Sequence, residues 1–187
     1  MAIDSLGTWE SEGQSAITPV GPLPTAISTL ADYVAARVDS KLALAAPVNV
    51  PISYTFGKAA FVGSLTSNLS IVPSLATAAS TIATAWESGV NAATVVATSS
   101  GSIDPATAAT TWSSPPTVTI LPSSVSSAKG TLSGALANMD LVGRFDESSF
   151  AEALRDAFLA LQFTVSGQNS VSPPAGPNPL STVADVE

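Results

Sequence analysis

Between Ala59 and Ala128 the chain runs for seventy residues with only two charged side chains, Glu87 and Asp104. Alanine, serine, threonine and valine fill most of the remainder. A soluble globular domain usually carries charge on about a quarter of its residues. A stretch this neutral has to be covered by a core, by lipid or by another subunit.

Lipid is the reading to test first. Ala59 to Trp86 is free of charge for 28 residues, which by length alone would cross a bilayer. Gly63, Asn68, Pro73 and many hydroxyl side chains dilute its hydrophobicity, however. Lys58 stands alone where a basic cluster would set orientation. The sequence therefore predicts no membrane span. The opening Met1 to Glu10 has neither a basic region nor an apolar run, so no secretory signal is expected there.

A chain of 187 residues suits one domain, and a hydrophobic content of 45% is enough for a core. Aromatics are only 6%, so the core must be thin and close-packed around a few anchors: Trp9, Trp86, Trp112 and six phenylalanines. Fourteen acids face six bases, for a net charge of −8. Replacing phosphate counterions needs clustered Lys and Arg, and here the bases are scattered, so no nucleic-acid partner is expected.

The pattern predicts an α+β fold. Helices are expected over about 25–45, 74–98, 123–139 and 147–161, and strands over about 48–56, 117–121 and 162–166. Ile27, Leu30, Ala31, Val34, Val38 and Leu42 recur at helical spacing, as do Phe150, Leu154, Phe158 and Leu161. In the second helix Leu75, Ala79, Ile82, Trp86, Val90 and Ala93 line one side, and a helix so neutral elsewhere should be buried from several directions. Arg155 is expected to pair with Glu152 three residues before it. Val50, Ile52, Tyr54 and Phe56 alternate as a strand, which Pro51 demotes to an edge. Periodicity does not decide between strand and helix for Ala59 to Leu65. Ala106 to Thr111 reads as a short helical turn. Residues 1–23 and 169–187 are rich in helix and strand breakers and read as arms on a compact domain of 24–168.

Chemistry is poorly represented. With no histidine and no cysteine, the commonest general base, metal ligand and thiolate nucleophile are all missing. Ser126 and Lys129 match S-x-x-K, but the companion motifs S-D-N and K-T-G are absent. Glu147 with Glu152, or Asp140 with Asp146, are carboxylate pairs only by default, and Asp140, Asp146 and Glu147 around Leu141 to Arg144 lack the ladder of a calcium loop. No catalytic residue, metal or cofactor is expected.

Neutral surfaces, arms and a sparse catalytic vocabulary point to a non-enzymatic subunit of a large assembly, such as a bacteriophage virion. Its partners would be copies of itself or other subunits. The residues expected at interfaces are Trp9, Trp86, Trp112, Gly130 and Gly134, the glycines forming G-x-x-x-G. A secreted or cell-surface adhesion or filament protein has a similar composition. A third reading is a small-ligand or lipid-binding module with a cleft between the alanine-rich helices.

Overall fold

A computed structural model describes residues 3–17, 23–69, 75–103, 110–141, 147–168 and 179–187. The fold is α+β, with helices and short antiparallel strands around one hydrophobic core. The helices are α1 (Leu6–Ile17), α2 (Leu23–Val38), α3 (Lys58–Leu69), α4 (Leu75–Asn91), α5 (Pro122–Leu141) and α6 (Glu147–Leu159). The strands are β1 (Val48–Asn49), β2 (Ile52–Thr55), β3 (Thr94–Ala97), β4 (Ser102–Ile103), β5 (Thr110–Thr111), β6 (Thr117–Ile120), β7 (Gln162–Gln168) and β8 (Pro179–Asp185). Residues 70–74, 142–146 and 169–178 lie outside the described residues, as does most of the expected turn at 106–111. Thr110 and Thr111, at the end of that turn, are strand.

Each helix buries one stripe. In α6 this is Phe150, Leu154 and Phe158, with Ala151, Ala153 and Ala157 closing the gaps between them. In α5 it is Val125, Ala128, Leu132 and Leu136, and Pro122 opens the helix where its missing N–H costs nothing. Helix α4 buries Ala79, Ala83, Ala85, Trp86 and Val90, and packs between α3 and α5. Its small side chains let backbones approach. A Cβ on Gly89 would sit 2.2 Å from the Phe56 ring, so that contact requires glycine.

Four elements differ from the sequence expectation, and one that periodicity left undecided is settled. The first helix ends at Val38 rather than about Ala45, because Ser40 takes a left-handed φ of 57° and Leu42 to Ala45 run extended. The helix expected over 74–98 ends at Asn91, where the β-branched Thr94-Val95-Val96 pairs with β2 instead. Residues 58–69 resolve as helix. Leu6–Ile17, expected as an extended arm, is helix α1: the Ser5 hydroxyl caps it by accepting the Thr8 N–H at 3.4 Å, and Trp9 enters the core. Residues 179–185 of the expected C-terminal arm likewise form β8, paired along its length with β7.

The sheets form antiparallel groups β2–β3, β1–β4–β5 and β6–β7–β8. In the last, Val118, Phe163, Val165 and Ala184 face the core. The other face carries cross-strand rows Thr117–Ser166–Ser181 and Thr119–Thr164–Val183.

At the centre, the Phe158 ring lies 5.5 Å from Trp86, 5.8 Å from Phe56, 6.2 Å from Trp9 and 6.5 Å from Tyr54, measured between centroids. Aromatic pairs at such distances add to the burial of their area. Phe158→Ala should cost about 3–5 kcal/mol, read as a lowered urea midpoint, with Phe158→Leu costing clearly less. An alanine variant with wild-type stability would mean that the cluster is not central.

The chain's two tyrosines supply a pH signature. Burial raises the Tyr54 phenol far above its ordinary value of 10.0, with Asp39 adding to the effect. Burial likewise raises Tyr33, against the opposing pull of Arg37 and with a further push from Glu12. Above the ordinary value the unfolded chain releases protons that the folded chain keeps, so this part of the stability is present below about pH 10 and lost as pH rises. The urea midpoint should fall progressively above pH 10, and tyrosinate absorbance should appear only with unfolding. Tyrosinate signal in the still-folded protein at that pH would contradict the burial of both phenols.

Candidate functional site

The residues expected at interfaces fall in two groups. Trp9 and Trp86 are fully buried and Trp112 nearly so, all within the chain's own core. Of the two settings open to Trp9, its own domain or a neighbour, the structure has the first: Tyr33 stands edge-on to its ring and donates a hydrogen bond to its carbonyl at 2.6 Å. Gly130 and Gly134 are exposed on α5, with nothing within 4 Å of where a Cβ would sit.

The bases are engaged internally. Among the described residues each Lys and Arg has a carboxylate of its own chain. Buried Arg37 of α2 holds Asp4 through Nη1 at 3.0 Å and Glu12 through Nη2, while Lys41 reaches the same Asp4 at 2.6 Å. Together with a bond between Ser148 and Glu10, these contacts tie α1 to α2 and α6. Lys58 pairs with Asp32. Lys129 donates to Glu87 at 2.7 Å, so its ammonium is occupied by a carboxylate rather than poised beside Ser126. Arg155 pairs with Asp156 and reaches the Asp4 carbonyl at 3.4 Å, in place of the expected Glu152. Among the described residues no three carboxylates gather as a cation site, and no helix is long and apolar enough to cross a membrane. The side chains of Asp140, Asp146 and Glu147 lie outside the described residues.

A concavity opens beside β2. Its volume is about 460 Å³, and it lies between segments 40–44 and 49–53, with Thr98 and Glu187 at its margin. Backbone alternation explains how it arises. Pro51 O accepts from Thr98 N, so Pro51 faces β3. Tyr54 O accepts from Ser40 N at 2.8 Å, so Tyr54 faces the other way, and by parity so do Val50 and Ile52. Across the gap, Ala43 and Ala45 bond to residues 185–187, which leaves Leu42 and Leu44 facing β2.

The two segments therefore form a hairpin joined at both ends, by Ser40 to Tyr54 and by Val48 N to Ala45 O. Continuing its register would place Leu42 opposite Ile52 and Leu44 opposite Val50. Instead the ladder parts there. Among the described residues the main-chain groups of Leu42, Leu44 and Val50 have no hydrogen-bond partner, and those of Ile52 turn into the same gap. All four residues are buried. Their side chains pack into the core, while their main-chain groups line the opening and are left to whatever hydrogen-bonding group enters it. Nothing in the sequence singled it out, because pairing depends on segments distant in the chain.

The gap predicts a pattern of hydrogen exchange. The amides of Leu42, Leu44, Val50 and Ile52 should exchange faster than those of Ser40, Ala45 and Thr98 in the same strands. Equal protection across the seven would show that the ladder closes in solution.

No family model matches the chain, and no curated protein or solved structure matches it.

Proposed function

We propose that this chain is a non-enzymatic structural subunit of a large protein assembly, of the kind that builds a bacteriophage virion. The observation that carries the reading is the neutrality of its outward faces. On α5 the exposed residues from Pro122 to Asn138 are serines, a threonine, glycines and an asparagine after the opening proline, none of them charged. On α3, beyond Lys58, they are Ala59, Gly63, Thr66, Ser67 and Asn68. On the outward face of β6–β7–β8 the hydroxyl rows are flanked by a single ion, Asp185, to which Gln162 Nε2 donates at 2.9 Å.

Faces of this kind suit permanent contacts because no ion has to be stripped of water on association. The open space over Gly130 and Gly134 would let a neighbouring backbone approach closely. Internal pairing of the described bases supports the same reading, since it leaves no basic patch to attract phosphate. The virion setting itself rests on the composition: an acidic, histidine-free and cysteine-free chain with few catalytic groups.

Gly134→Arg tests it. The wild type should form species larger than a monomer as concentration rises, by light scattering after size exclusion. The arginine variant should remain monomeric, with stability within about 1 kcal/mol of wild type, since the site is exposed. A wild type that stays monomeric throughout, indistinguishable from the variant, would overturn self-association through this face.

A further inference from the structure

We propose that the parted ladder between Leu42–Leu44 and Val50–Ile52 is a binding site for the amino end of a short peptide, two or three residues long. The inference stands independently of the assembly reading.

The walls specify the ligand. Each presents main-chain N–H and C=O groups with the strand period, and the partner that matches such a row is another peptide backbone. A ligand with apolar groups alone would leave those dipoles covered and unmet. Length follows from closure. The hairpin is bonded at Ser40–Tyr54 and again at Ala45–Val48, so a continuous strand cannot run through in the plane of the sheet. Between the two closures each wall offers three residues, about 7 Å of extended chain. The volume of about 460 Å³ falls within the range of small-ligand sites.

Charge sets the direction. Ser40, Asn49, Ser53 and Thr98 are the uncharged polar residues of the lining, and its one ionisable side chain is Glu187. With a carboxylate at the margin and no cation in the lining, an ammonium is favoured and a carboxylate disfavoured. A free amino terminus at Glu187, followed by two amides between the walls, uses every one of these features. The site is distinct from any cleft between helices: α3, α4 and α5 contribute nothing to it.

The test uses the full chain and the tripeptide Ala-Val-Ala, followed by amide NMR. Titration should shift the signals of Leu42, Leu44, Val50 and Ile52 together, and at saturation should slow their hydrogen exchange by about tenfold or more. N-acetylated Ala-Val-Ala should bind more weakly, and Glu187→Gln should abolish the difference between the two peptides. Ala-Val-Ala methylated on its backbone nitrogens keeps the ammonium and the side chains but loses the amide donors, and should bind more weakly than the parent. Glu187 is exposed, so its variant should fold normally. The proposal is overturned if Ala-Val-Ala does not move these four signals, if shifts scatter over the surface, or if acetylation and backbone methylation make no difference. Light scattering on the same samples reports the assembly state separately, so failure of one reading is not failure of the other.

Discussion

Phe158 is the point on which the rest of the molecule closes. It touches rings from the N-terminal helix, from β2 and the residue following it, and from α4, segments spread over more than half the chain. A chain with 6% aromatics gathers five of them at one place, because small side chains elsewhere cannot fill the volume between helices. Gly89 is what lets Phe56 lie against α4. The indole N–H groups of Trp9 and Trp86 and the Tyr54 hydroxyl are buried there without partners among the described residues. Such groups cost free energy, so ring packing has to outweigh them for the cluster to persist.

The ionic contacts are arranged around that centre. Arg37 is almost wholly buried and binds two carboxylates on the N-terminal segment. A buried pair of this sort returns little net stability once desolvation is counted, and is better understood as fixing which surface α1 meets. The same economy explains the exterior. Bases are few, the described ones are spent on internal pairs, and the outward faces of α5 and of the sheet are left to hydroxyls and glycines.

What could be read from the sequence follows the range of the interactions involved. The stripes Val125, Leu132, Leu136 and Phe150, Leu154, Phe158 were legible, because helical spacing encodes a buried face locally. The α+β class was legible for the same reason. Helix α1 was not: breakers on either side of it suggest an arm, and its order depends on Phe158 and Arg37, which lie far along the chain. Strand β8 was hidden likewise, since its pairing with β7 is a property of both strands together. The tryptophans were legible as anchors. Only tertiary packing decides that they anchor inward, so that of the residues expected at interfaces Gly130 and Gly134 are the two at the surface.

The cleft is the least local feature of all, and its origin lies in divided loyalties of the strands that form it. Segment 43–45 is bonded to residues 185–187, at the end of the sheet containing β8. Segment 48–55 is bonded to residues 94–103 through β3 and β4. Each half of the hairpin thus belongs to a different sheet, and each sheet twists about its own axis. The two strands of the hairpin pair outward with different neighbours, and between their closures they do not pair with each other. The left-handed Ser40 redirects the chain at one end of the opening, and the turn at Ala45–Val48 closes the other. Between these closures the strands part, and what sets the opening is the pairing of segments distant in the chain, which no local pattern around Leu42, Leu44, Val50 or Ile52 encodes.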